Sequence, residues 1–426
     1  MRLDAQVGNA TLVRSLRPAA VDLDQLNREY RPLLQLVRLL IGVVPNCDPI
    51  LAIWPAGFRT YNLLVPNLLN LPFSVWGFGP PAVTLGLALY ASSWTARCAY
   101  CTAHTCSFTL RRGSPPEKLS GTLAPAESAA VAVAEALARI PCDLSEDQRR
   151  ELLRHFSASD AERIVLGVAM MGFLNKFMDA VGIDLEEAAV AEVSTVLSST
   201  GWSPGKHEVC TVRTEDPSLQ ARPPGRDTLL TKLSILRYLP AAVRLESSWI
   251  RGVPSSWPAV GTWLAAHTGY DFPLLAKLRS RRAVRAIATV LRDNLSAADS
   301  RLGLRTKALA GLVYATVVGD EPLAREARVL ASRMSPPVDA ETLEAVAAFA
   351  AAPEDDPARL ESLPGLDGEP ALALQLAKAI SPSPALVPEP LVERVSRTLS
   401  PEAQVELVVW VAVQQMLHRL GCYLGA

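Results

Sequence analysis

The chain has 426 residues, a formal net charge of −1, 49% hydrophobic residues and only 6% aromatics. The near-balance of charge excludes a general nucleic-acid binder, which needs a basic excess or stripe. Seven cysteines spread over so long a chain do not form a secreted disulfide framework, and abundant Ala and Leu favour helices over a sandwich or barrel.

The N-terminus from Met1 to Gln25 has no continuous apolar core and no evident cleavage site. It therefore does not read as a signal peptide, and a cytoplasmic location is expected. Leu23 to Val44 reads as a helix, with Leu33, Leu34, Leu36, Val37 and Leu40 at helical spacing, stopped by Pro45, Asn46 and Pro49. Arg59 to Arg97 contains no charged residue between its ends. Pro66, Pro72, Pro80 and Pro81 cut it into pieces too short to span a bilayer, so no membrane segment is expected. The expected pieces are Ile50 to Leu64, Leu68 to Val75 and Ala82 to Tyr90. Glu127 to Arg139 is a further helix, and Ser145 caps another. Ser157 to Val181 carries Ile164, Val165, Val168, Met171 and Leu174 on one face and stops at Gly182.

Residues 201–226 change character. Pro204, Gly205, Pro217, Pro223, Pro224 and Gly225 mark a linker between two halves, 1–200 and 227–426. The halves resemble one another. SASDAERIVLGVAMMGFLNKFMDAVG from Ser157 aligns without a gap with SPEAQVELVVWVAVQQMLHRLGCYLG from Ser400, so that Asn175 faces His418. Val44-Pro45 matches Val253-Pro254, with Trp54 and Trp263 at equal offsets. Tyr90-Ala91 lies against Tyr314-Ala315, and a Ser-Pro-Pro triplet follows each, at Ser114 and Ser335. The common order of these matches implies a duplication. In this register Cys98, Cys101 and His104 face Pro322, Arg325 and Arg328, so the second copy lacks the chemistry of the first.

That chemistry is one constellation, Trp94-Thr-Ala-Arg-Cys98-Ala-Tyr-Cys101-Thr-Ala-His104-Thr-Cys106. Cysteines three apart on a helix are neighbours, within the 4.4–6.8 Å Cα separation of a disulfide. A thiolate at Cys98 gains from a helix start and from Arg97 if that side chain turns inward. His104 is placed to move a proton. The same atoms offer an alternative as zinc ligands, with Cys106, His207 and Cys210 as further donors. Another alternative is a pair of inert buried cysteines. Cys47, Cys142, Cys210 and Cys422 stand alone and read as structural or incidental, and His418 as a polar core or site residue. No nucleotide-binding loop, nucleophile elbow or zinc-protease motif is present, and no cofactor is expected.

The run Cys98-Ala-Tyr-Cys101-Thr-Ala-His104-Thr105 resembles the active-site signature of the carboxymuconolactone decarboxylase-like superfamily, in its redox branch, alkylhydroperoxidase D. The resemblance extends over the helices of the first half and, more faintly, the second. It implies an all-α fold of two pseudo-symmetric alkylhydroperoxidase D-like helical domains, and a homo-oligomer. It implies that Cys101 attacks a hydroperoxide, Cys98 resolves the product and His104 belongs to a proton relay. The substrate would be a small hydroperoxide or other organic molecule, and a dithiol protein would serve as reductant. Alternatives are a redox-sensing scaffold or an enzyme acting on an organic molecule in a helical cavity lined from Trp94, Tyr100, Trp54 and Asn175. The spacing from Cys101 to His104 is one residue shorter than in alkylhydroperoxidase D and matches a peroxidase-related branch. The family's relay glutamate falls at Gly86, which leaves Glu162 and Asp179 as candidates for its replacement.

Overall fold

The computed structural model describes residues 11–211, 214–353 and 360–425. The fold is all-α, with a single two-residue strand pair among the described residues. Thirteen principal helices build the core and the site. In the first half these are α1 (Leu23–Ile41), α2 (Cys47–Leu51), α3 (Pro55–Leu68), α4 (Ala82–Thr95), α5 (Ala99–Arg111), α6 (Pro125–Ala138) and α7 (Ala158–Val181). The second half supplies α8 (Leu229–Trp249), α9 (Arg281–Asn294), α10 (Leu304–Val318), α11 (Glu321–Ser332), α12 (Glu369–Ile380) and α13 (Pro401–Leu424).

Helix boundaries follow the local chemistry. The Ser157 hydroxyl accepts the Asp160 amide of α7, and Gly182 closes that helix at φ 74°. Ser400 accepts the Ala403 amide of α13, and Gly425 closes it at φ 64°. Both helices have 24 residues. Pro72, Pro80 and Pro81 interrupt the uncharged stretch as expected, but Pro66 lies inside α3 rather than breaking it, and the helix expected over Leu68 to Val75 is reduced to a 3-10 turn at Phe73–Trp76 before α4. By length and composition α7 could cross a membrane, but 94% of its apolar window is buried inside the protein.

Helices α7 and α13 make the most extensive contact in the fold. Gly172 permits it, since a Cβ there would stand 2.9 Å from Arg419 Cδ. The approach is fixed by two buried cations that reach in opposite directions. Lys176 of α7 donates to the carbonyls of Ile380 (2.8 Å) and Ser381 (2.7 Å) in the second half. Arg419 of α13 donates to Ser92 Oγ (2.6 Å) and the Val168 carbonyl (2.9 Å) in the first. Helix α3 packs on α9, where Asn294 donates to Thr60 Oγ1 at 3.0 Å. One continuous apolar core therefore runs from Leu12 to Leu420.

The described residues of the stretch 201–226 lie mainly against the first half, with Lys206 also donating to the Ala385 carbonyl of the second. Strand β2 (Val209–Cys210) pairs in parallel with β1 (Leu185–Glu186), Glu186 opposite Cys210. His207 and Leu219 are buried, and Leu219 packs against Leu23, Leu26 and Leu34 of α1.

Candidate active site around Cys101

The break between α4 and α5 creates the site. Arg97 adopts a left-handed φ of 55°, a costly conformation for a residue other than glycine. It turns the chain so that Cys98 caps α5, its Sγ accepting the Cys101 amide at 3.3 Å. The Arg97 side chain is exposed, so it does not turn inward toward the thiols. Cys98 and Cys101 are both free thiols, 0% and 3% exposed. Burial, and then the neighbouring Cys98, push the Cys101 thiol well above its ordinary range. Cys101 cannot ionise readily without a base nearby.

Cys101 and His104 open onto a cavity of about 90 Å³ between α1, α3, α4, α5 and α7. Its wall is largely apolar, with Val37, Leu89, Phe108, Met170, Met171 and Met178 among the lining side chains. Cys98 does not line it; its sulfur stands behind Cys101 at the helix start. Of the aromatic and amide residues expected in a cavity, Tyr100 lines this one. Trp54 instead donates its indole N–H to the Asp299 carbonyl (2.9 Å) in the second half. Trp94 is exposed and stacks on Tyr90, and Asn175 donates to the Ser92 carbonyl at 3.4 Å. The further metal donor proposed at Cys106 is buried away from the cavity, and His207 is held by the Ile183 carbonyl, 2.7 Å from Nδ1.

The acid beside His104 is Glu186. Its Oε2 stands 2.8 Å from His104 Nε2, off the line of an ideal hydrogen bond. Its other oxygen accepts the Tyr100 hydroxyl at 2.8 Å and the Asn46 amide at 2.5 Å. Glu186 is fully buried. Strand pairing with Cys210 fixes its backbone, and Asn46 Nδ2 holds the preceding turn through the Asp184 carbonyl at 2.9 Å.

Neither acid expected from the sequence occupies this place. Glu162 accepts the backbone amides of Arg279 and Ser280, each at 2.8 Å. Asp179 pairs with Lys206 at 3.1 Å and accepts the Ala385 amide at 2.6 Å. Position 86 has no room for an acid either, because a Cβ on Gly86 would stand 2.7 Å from Thr109 Oγ1.

A second carboxyl completes the setting. Asp48 is buried, and neither of its side-chain oxygens has a hydrogen-bond partner. Burial and then the Glu186 charge push it up to about 8. It therefore holds a proton at neutral pH. Tyr100 packs on the His104 ring with centroids 4.4 Å apart, and burial followed by Glu186 keeps its hydroxyl protonated. Chemically, the site presents the Cys101 thiol at an apolar surface, which Cys47 also lines, with Cys98 behind Cys101 and an imidazole–carboxylate pair shielded from water.

No protein-family model and no curated protein matches the chain. Among solved structures it is similar to the crystal structure of the apo debrominase Bmp8, at 22% identity over 42% of this chain and 96% of that one, with a TM-score of 0.38. It is also similar to a cysteine-to-alanine variant of that debrominase in complex with 2,3,4-tribromopyrrole, at 20% identity over 46% of this chain and 100% of that one, with a TM-score of 0.38.

Proposed function

We propose that the protein is a thiol-dependent oxidoreductase of the alkylhydroperoxidase D-like type, acting on organic hydroperoxides. The observation that carries the reading is Cys101 opening onto an apolar cavity beside the His104–Glu186 pair. In the proposed reaction, Cys101 Sγ attacks the distal peroxide oxygen. The S–O bond forms as the O–O bond breaks, and the thiol proton passes through His104 to the leaving alkoxide, which departs as alcohol. Cys98 then attacks the sulfenic sulfur, forming the disulfide and releasing water. A dithiol protein reduces the pair by thiol exchange, and its own thiols are oxidised in turn. His104 moves the proton. Glu186, fixed by Tyr100, Asn46 and the strand pair, orients the imidazole and faces the positive charge it carries while the proton is in transit. The largely apolar wall favours an organic hydroperoxide over hydrogen peroxide.

The reading also takes the chain as a tandem duplication whose second copy has lost the thiol pair. Equal lengths and matching Ser and Gly caps on α7 and α13 support it.

The test is consumption of cumene hydroperoxide and of hydrogen peroxide with a dithiol reductant, in wild type, Cys101→Ser and Cys98→Ser. The expected result is turnover by wild type with preference for the organic peroxide, none by Cys101→Ser, and a single sulfenic-acid turnover by Cys98→Ser. Equal behaviour of all three proteins, with wild-type thiols remaining reduced, would remove the proposal.

A further inference from the structure

A second group of sulfur, nitrogen and oxygen donors lies at the seam between the halves, outside the Cys101 cavity. Helix α13 carries His418 and Cys422 one turn apart, which places them on one face. Cys422 Sγ stands 3.7 Å from His418 Nδ1 and 3.8 Å from Nε2. Asp320 Oδ2 reaches His418 Nδ1 at 2.6 Å. The other oxygen of Asp320 accepts the Leu323 amide at 3.0 Å as the cap of α11. One donor of each of these three residues falls within 4.8 Å of the others. The fourth residue comes from the first half: Cys142, in the turn after α6, interacts with the Cys422 thiol, though its sulfur stands outside the group of three. Beside the His418 ring is Tyr314, whose buried hydroxyl has no hydrogen-bond partner.

We propose that Cys142, His418, Cys422 and Asp320 bind one zinc-class divalent ion that fastens the two halves of the chain together. The donor set is what zinc takes. Two thiolates, one imidazole and one monodentate carboxylate make a four-coordinate shell. Zinc bonds of about 2.0–2.3 Å set tetrahedral donor separations of roughly 3.3–3.8 Å. The Cys422–His418 distances already lie in that range, and the Cys142 sulfur must move inward to complete the shell. The Asp320–His418 pair must open by less than an ångström, which breaks their mutual hydrogen bond and replaces it with two metal bonds. The carboxylate is already oriented, because its second oxygen is committed to the helix cap. The donors come from three separate elements, as a structural site requires, whereas Cys98, Cys101 and His104 all lie at one helix start. The ion would hold the turn that follows α6 against the C-terminal end of α13, at one end of the α7–α13 contact.

The experiment uses the full chain, purified under reducing conditions, stripped with chelator and titrated with cobalt(II). One equivalent is expected, with a thiolate-to-cobalt charge-transfer band and the visible bands of tetrahedral cobalt, both bleached by zinc. Cys142→Ser and Cys422→Ser should each weaken cobalt binding at least tenfold and dim the charge-transfer band. Asp320→Asn keeps a helix cap but loses the carboxylate, and should also weaken binding. That variant keeps the test sound if a cysteine variant folds poorly. A Cys98→Ser/Cys101→Ser protein should keep the full spectrum. The proposal is overturned by an absent tetrahedral spectrum in wild type, by a spectrum that survives loss of both Cys142 and Cys422, or by one that disappears with Cys98 and Cys101. Conversion of Cys142 and Cys422 to a disulfide without metal uptake would equally overturn it.

Discussion

Glu186 and Asp48 are two buried carboxyls a short distance apart, and their environments separate their roles. Glu186 takes two hydrogen bonds on one oxygen and faces His104 with the other. Asp48 receives none. Glu186→Gln keeps the shape and removes the charge that faces the imidazole. It should lower peroxide turnover by about 10²-fold and displace the pH profile, while a merely structural role would leave that profile in place. Asp48 gives a stability prediction with a definite sign. Its folded value of about 8 lies far above the ordinary carboxylate value of 3.8, so the folded state binds the proton more tightly. Its contribution is fully present below about pH 4 and is lost as pH rises through about 8. Asp48→Asn should therefore match wild type in acid. It should become the more stable protein toward pH 8, by on the order of 5 kcal/mol at most, as measured by urea unfolding across that range.

At the scale of elements, the proposed duplication sets two helix–helix corners in correspondence, and the two are capped differently. In the first half Cys98 caps α5; in the second Asp320 caps α11. Matching the caps therefore sets Asp320 against Cys98, two residues from the Pro322 that an ungapped sequence register selects. The turn before α11 is shorter, and no residue pattern announces a gap of that size. Gly86 differs in kind. Its empty side chain looks like a lost acid in the sequence, but in the fold it is the point where α4 meets Thr109 of α5. Gly86→Ala should cost about 1–3 kcal/mol through overpacking, and Gly86→Glu should not restore activity to a Glu186→Gln protein. Thermal unfolding and peroxide assays check the two statements.

The helices, their caps and the motif were legible because they are local: Ser157, Ser400, Gly182 and Gly425 act within a turn of where they stand. Cys101 and His104 were legible for the same reason, being three residues apart on one helix. Glu186 was not, because only folding carries it to His104 from beyond the end of α7. The one hint was an acid in an apolar setting, Ile183-Asp184-Leu185-Glu186, directly after a helix stop. Asp320 was hidden in the same way, since only folding carries it from the start of α11 to the His418 and Cys422 that share one face of α13.

For the molecule as a whole, the shared core matters more than the division into halves. Lys307 and Glu406 form a fully buried ion pair at 2.9 Å, with Trp54 of the first half 4.9 Å from the Lys307 ammonium. Contacts of this kind leave neither half a finished surface of its own. Unfolding in guanidinium should give one transition, coincident by far-ultraviolet circular dichroism and tryptophan fluorescence. Two separated transitions would show that the halves are independent units.

The strap formed by residues 201–226 has a practical consequence for anyone wishing to isolate the thiol-bearing half. Its abundance of proline and glycine invites a cut there, yet β2 steadies Glu186, and Lys206 is gripped by Asp179 on one side and by the Ala385 carbonyl (3.1 Å) on the other. Trimming before Gly201 would leave Cys98, Cys101 and His104 in place but cast loose the residue that gives the histidine its partner. A shortened protein of that kind would look folded by its helix content and yet be slow. Its sluggishness would be an artefact of where the scissors fell and would say nothing about the competence of the thiols.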